Sequence, residues 1–324
     1  MNPRHIATGR ALFFLAVLVT LSPTATAQTY PTKAVRIILP YLGSTEFVGR
    51  WIATKLSAAL GQQVIVDPHP GAGGKIGHDL HAKSAPDGYT LMLAAPPLVI
   101  NPLLTDTSGR DPLRDITPIA VLGTIPYVLA VHPSVPVKNL RELVKLARGN
   151  PGKLSYGSGA PGSPSHLAGE LLKSQSQANI LLVPYKGATF ALVGAMSGEV
   201  DIVISAASAV VNYVNDKRMR ALAVLNTKPV DSLPGLPTAA EAGMPQLLVN
   251  NWFVLAAPKG TPPAIIERLN TEATKIMQAT DTRRQMTTLG GDIMVSSPDQ
   301  ATAFLRDEYM RWGRVIREAN IKAD

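Results

Sequence analysis

From Val35 almost to the C-terminus, short apolar runs alternate with stretches of helical periodicity, and this alternation limits the fold more than anything else in the chain. A strand that is followed by a helix and then another strand normally returns parallel to the first, so a series of such units predicts an α/β fold with a mostly parallel sheet flanked by helices. Strands are expected at 35–39, 63–66, 90–94, 127–131, 154–156, 180–183, 200–204, 220–225 and 252–256. Several helices between them carry their own start signals. Asn139 stands three residues before Glu142, a capping-box spacing, and Leu140, Leu143, Val144 and Ala147 form one apolar face. Ser163-Pro164, Thr261-Pro262 and Ser297-Pro298 each place a capping hydroxyl before a proline, which has no N–H to lose at the first helical position. The last two helices, 262–279 and 298–320, carry apolar stripes that need a sheet to cover. Neither an internal repeat nor a low-complexity tract is present.

The first residues read as an address. Arg4 and Arg10 precede the apolar run Ala11 to Leu21, and Ala25-Thr26-Ala27 is a small-x-small cleavage site. That run is too short for a membrane span, which needs about 20 residues, so residues 1–27 are expected to be a signal peptide. The mature chain is then expected to be soluble outside the cytoplasm. It has no cysteine, so burial alone must hold its roughly 300 residues, as one large domain or two lobes. The formal charge of +8 falls to +6 without the two leader arginines, and the remaining basic residues are scattered. Nucleic-acid binding is therefore not expected, and a mild attraction to anionic solutes is the most the charge implies.

Residues 156–170, YGSGAPGSPSHLAGE, contain a G-x-G-x-x-G spacing at Gly157, Gly159 and Gly162. A dinucleotide site would want an acid at the end of the next strand, and Pro184-Tyr185-Lys186 stands there instead. A phosphate loop would want Lys and Ser/Thr where Ser163-Pro164 stands, and no serine has the surroundings of a nucleophile elbow. Two readings remain open. The glycine turn and helix start present free N–H groups to a carboxylate or phosphate, or the glycines turn the chain and the serines cap.

A second glycine cluster, 70–77 (PGAGGKIG), has the same two readings. His78 and His81 follow on one helix, but no nearby carboxylate or cysteine completes a metal set, and a solvated helix face is the expectation. No cysteine, hydrolase serine or paired-acid motif supplies a catalyst, so no enzyme and no cofactor is expected.

Taken in order, YGSGAPGSPSHLAGE, VPYKG (183–187), RALAVL (220–225), LPGLPTAAEAG (233–243) and WFVLAAPKGTP (252–262) resemble the Bug-type solute receptors of tripartite tricarboxylate transporters. VIVDPHPGAGGKIG (64–77) and APDGYTLML (85–93) are similar as well. The resemblance implies a periplasmic type II binding-protein fold with two lobes, residues 28–127 with 254–324 and residues 128–253. The chain would cross between them near Val128 to Val131 and Asn250 to Val254, and the last two helices would return to the first lobe. It implies a small carboxylate ligand, closure of the lobes on it, and delivery to membrane permease subunits. The site residues it implies are Tyr41, Gly43, Ser44, Thr45, Glu46, Ala95 and Pro96 from the first lobe. From the second come Ser158, Gly159, Gly162, Ser163, His166, Tyr185, with Lys186 beside it, Ser205 and Ala206.

Two positions depart from the family pattern. The loop after the first strand, 40–46, is about two residues shorter and ends in Glu46 where the family carries Asp. Ser205 stands where many members carry Asp, which weakens the case for an amino-acid ligand. A sensor that presents its ligand to a histidine-kinase ectodomain is the alternative function, and an exported hydrolase acting through Ser158 or His166 is a third.

Overall fold

The computed structural model describes residues 30–105, 111 and 113–322, so the leader expected at 1–27 lies outside the described residues. The chain begins with β1 (Val35–Leu39), α1 (Ser44–Leu60), β2 (Val64–Pro68), α2 (Lys75–Ala82), β3 (Thr90–Ala94) and α3 (Pro97–Leu104). These strands pair in parallel in the order β2-β1-β3. A long strand, β4 (Ile116–Val131), leads into α4 (Leu140–Gly149), β5 (Ser155–Ser158), α5 (Pro164–Ser176), β6 (Leu181–Pro184), α6 (Ala188–Ser197), β7 (Ile202–Ala206), α7 (Ala207–Asn215) and β8 (Arg220–Val224). Here β6-β5-β7 are parallel. The chain ends with β9 (Asn250–Pro258), α8 (Pro263–Gln278), α9 (Thr280–Thr288), β10 (Asp292–Ile293) and α10 (Pro298–Glu318).

Parallel pairing holds wherever a helix connects neighbouring strands, and every antiparallel pair involves β4 or β9. From Ile116 to Pro126, β4 pairs with β9 in the first sheet; from Tyr127 to Val131 it pairs with β7, and from Val128 with β8, in the second. Fourteen of its sixteen residues are buried. The expected strand at 127–131 is only its second half. Pro118, Gly123 and Pro126 mask the first half in the sequence, and two register shifts, after Pro118 and after Val121, absorb two of the three. At Gly123 a side chain would strike the carbonyl of Asp292, at 2.5 Å, so glycine is what lets β10 lie against β4.

The caps divide. Ser163 and Ser297 cap as expected, Ser297 with Gln300 in a full capping box, and Asn139 accepts from the Glu142 amide. Thr261 does not cap: its hydroxyl turns back to the Pro258 carbonyl at 2.8 Å, and α8 starts one residue late with Pro262 at the cap. The expected solvated face of α2 is also corrected, because His81 is fully buried there.

The C-terminal helices return to the first sheet. On α8, Asn270 donates to the carbonyls of Ile119 on β4 and Ser296. On α10, Glu308 accepts from the indoles of Trp252 (3.0 Å) and Trp312 (3.1 Å) through one oxygen and from Arg311 (3.0 Å) through the other. Arg311 also donates to Leu248 and lies over the Trp312 ring. This carboxylate therefore fastens α10 to the chain just where β9 begins. Replacing Glu308 by Ala leaves two buried indole N–H groups without acceptors, each costing about 1–3 kcal/mol. Urea unfolding should show E308A destabilised by about 3 kcal/mol and E308Q by less, since the amide oxygen still accepts.

Candidate functional site

The strand crossing brings helix starts from both sheets together. Asn251, at the head of β9 and 4% exposed, donates to the Ser44 hydroxyl at 2.9 Å and so fixes the start of α1 beside the crossing. From the other sheet, Ala206 pairs with Tyr127 on β4, and α7 starts at the next residue. Gly159 lies against the Ala188 amide at the start of α6, 3.3 Å from where its own Cβ would stand. None of these three helices has a side-chain cap. Their first amides therefore keep the partial positive charge of a helix N-terminus unshared. Thr45, Ser158 and Ser205 are buried polar side chains in the same region.

The glycine loop is arranged differently. Gly159 donates its amide to the Ser165 hydroxyl at 3.1 Å, and Gly162 donates to Nδ1 of His166 at 3.2 Å. Ser163 caps α5 and contacts the hydroxyls of Ser158 and Ser165. In this structure the amides of Gly159 and Gly162 are thus taken within the loop, and Ser163 caps the helix that follows. Ala95 and Pro96 start α3, but their carbonyls hold Leu98 and Val99, and Pro96 and Pro97 have no amide. Glu46 pairs with Arg50 at 2.7 Å along α1. The Tyr185 ring is packed between Gly157 and Gly194, under α6, and Lys186 is exposed.

Tyr41 bonds Nε2 of His78 at 2.8 Å, and its ring fills the space over Gly74. Beyond this pair, α2 and α3 line a half-open cleft of about 320 Å³, bounded on one side by Ala160, Pro161 and Gly162 from the second sheet's loop. Gly162, which the resemblance nominates, lines it. Asn101 on α3 binds both edges: its amide donates to the Gly73 carbonyl, and its oxygen abuts Gly162. No group of three or more metal-ligating side chains exists among the described residues.

The family model of the tripartite tricarboxylate transporter family receptor, TctC, matches residues 48–321. The chain belongs to the TctC family. BugT of Bordetella pertussis is 35% identical over 95% of this chain and 96% of its own length. A solved R. palustris protein with adipate is 34% identical, with a TM-score of 0.85 over 90% of this chain and 99% of that one. MatC of Rhodopseudomonas palustris, solved with malate, is 27% identical, with a TM-score of 0.80 over 89% of this chain and all of that one. TctC proteins are periplasmic solute receptors of transporters and not an enzyme family, so the expected family, fold and receptor role are borne out and transport is favoured over sensing.

Asn251 and Asn101 are the residues that sequence reasoning missed. Neither stands in a glycine or hydroxyl motif: Asn251 follows Asn250 immediately before the WFVLAAPKGTP motif, and Asn101 lies within α3. The Tyr41–His78 pair was legible only as separate residues. Burial lowers His78 to about 4, against the opposing charge of Asp79. Burial, with His78 adding to it, lowers His81 to about 3, against the nearby Ala256 backbone. Neither His81 nitrogen has a hydrogen-bond partner. Both rings are neutral when folded and regain a value near 6.5 on unfolding, so the unfolded chain binds more protons below about pH 6.5. This contribution is complete above that pH and is lost as the pH falls toward 4 and then 3, by at most about 1.4 kcal/mol per pH unit for each ring. In urea midpoints taken between pH 7.5 and pH 4.5, His81→Phe should show a visibly shallower acid loss than the unaltered protein.

Proposed function

We propose that residues 1–27 direct export and are removed, and that the mature chain captures a small organic carboxylate in the periplasm and passes it to the permease subunits of a tripartite tricarboxylate transporter. The lobes are residues 28–127 with 254–324 and residues 128–253, and the ligand is held without being converted. The observation that carries this reading is that the uncapped start of α1, held by Asn251 on β9, and that of α7, next to Ala206 on β7, both lie beside the β4 crossing. An anion placed there satisfies amides from both sheets at once, so it favours the closed form by the difference in contacts. The hydroxyls of Ser44, Thr45, Ser158 and Ser205 supply further donors. Adipate and malate in two solved relatives support the same ligand class.

Ser205, two residues before the start of α7, supplies the test. An aspartate at 205 puts a competing carboxylate beside those amides and repels a bound one. Isothermal calorimetry with a panel of mono-, di- and tricarboxylates should find a ligand for the unaltered protein. S205D should bind it at least about tenfold more weakly and S205A within about threefold, with the folding of both variants checked by circular dichroism. Equal binding by S205D would move the carboxylate away from α7, and heat from no acid in the panel would end the receptor reading.

A further inference from the structure

The helix α3 (PLVINPLL) is apolar but for Asn101, and asparagine is a poor helix former whose side chain competes for backbone groups. Here that side chain serves two turns at once. Its amide donates to the Gly73 carbonyl, in the turn that leads into α2, and its oxygen faces Gly162, in the turn that leads into α5 beside the other sheet. Leu104, three residues further along α3, reaches within 3.3 Å of where a Gly162 Cβ would stand, so one face of the helix carries both contacts.

Both glycines leave room for this side chain and for nothing more. Gly73 and Gly162 have φ of 63° and 73°, and a Cβ would stand 2.4 Å from the Asn101 amide nitrogen at the first and 2.0 Å from its oxygen at the second. A Gly162 Cα hydrogen therefore points at the Asn101 oxygen, a weak bond that changes an equilibrium constant by about two- to fivefold. Each turn is braced from within. Gly74 donates to the Gly71 carbonyl, Ser163 to the Ala160 carbonyl, and Gly162 to Nδ1 of His166. The two turns belong to sheets joined through β4 and β9, so a rotation at the crossing parts Gly162 from Asn101 while Asn101 keeps Gly73.

We infer that Asn101 is the latch of the closed receptor, a positioning residue that joins the 71–74 turn of one lobe to the 160–162 turn of the other when the lobes shut. The inference rests on the receptor reading above and deepens it, because it names what the closed form gains besides the ligand. Asn101 acts through the turn it holds, which also carries Gly159 against the start of α6. A contact this weak biases the balance toward closure without holding the lobes shut when no ligand is bound.

The probe is the tightest binder among adipate, malate and the other acids of the panel, with affinity read by calorimetry, dissociation by stopped-flow fluorescence and shape by small-angle scattering. N101A should weaken binding about two- to fivefold, all of it as faster dissociation. G162A sets a methyl group against the Asn101 oxygen, so binding should fall at least about tenfold and the saturated protein should stay as extended as the ligand-free one. In N101A/G162A that methyl group has room, and affinity should return to within about threefold of N101A alone. A side chain that only supports the Gly73 turn gives losses that multiply in the double variant. Circular dichroism checks the fold of all three, and N101A leaves Gly162 untouched, so it tests the latch by itself where G162A does not fold. Losses that multiply, or unchanged affinity in either single variant, would overturn the latch while leaving a carboxylate receptor in place. If no acid binds the unaltered protein, the receptor reading falls and the latch falls with it.

Discussion

One strand hydrogen-bonds into both sheets, and the rest of the molecule is arranged by that constraint. Between Pro126 and Tyr127, β4 changes partners from β9 to β7 and β8 without breaking. Because β1 and β3 run parallel within one sheet and β5 and β7 within the other, their C-terminal ends, and the helices that follow, lie at defined edges. The shared strand brings two such edges together. Asn251 pins α1 to the crossing and Ala206 pairs directly with it, so the α1 and α7 starts are positioned by main-chain pairing and one side-chain bond. A site built on such elements is held more firmly than one built on loops alone.

The balance of donors then decides which loops can take a ligand. A buried N–H must find an acceptor, and a loop with hydroxyls in reach supplies its own. Ser165 and His166 take the amides of Gly159 and Gly162, while α1, α6 and α7 have no side-chain cap to do the same. In this arrangement those two loop amides are occupied, and no side chain caps the first amides of the three helices. Glu308 answers the same demand on the opposite side of the crossing, where two indoles and a guanidinium converge on one carboxylate.

Much of this was legible in the sequence where the signal was local. β1 and β3 fall at the expected residues because each is a compact apolar run bounded by polar or turn-forming residues, and Ser297 with Gln300 caps within four residues of chain. The first half of β4 was not, because its prolines and glycine read as breakers until the strand's own bulges, after Pro118 and after Val121, are seen to carry its pairing with β9 past them. Thr261 had the right neighbour for a cap, yet its own hydroxyl found the Pro258 carbonyl first. Asn251 reaches a partner 207 residues away, and no periodicity or spacing announces such a bond. His81 reads as one of two histidines on an exposed helix, and only the packing of α2 shows that the sheet takes it in.

The glycine spacing at 157–162 has its explanation in steric room more than in donors. Gly162 adopts a φ of 73°, a region that side chains resist, and an added Cβ would stand 2.0 Å from the Asn101 oxygen. Any larger residue would push the 160–162 turn off α3. Gly73, whose carbonyl receives the Asn101 amide, also has a positive φ and no room beside that side chain. One asparagine thus lies between two glycines from opposite sheets, and the close approach of the two walls depends on all three. Lobe closure in a receptor needs surfaces that meet without a large energetic reward, so that the ligand decides the balance. A contact built from backbone, one amide side chain and two glycines buries little apolar area and fits that requirement better than an apolar seam would.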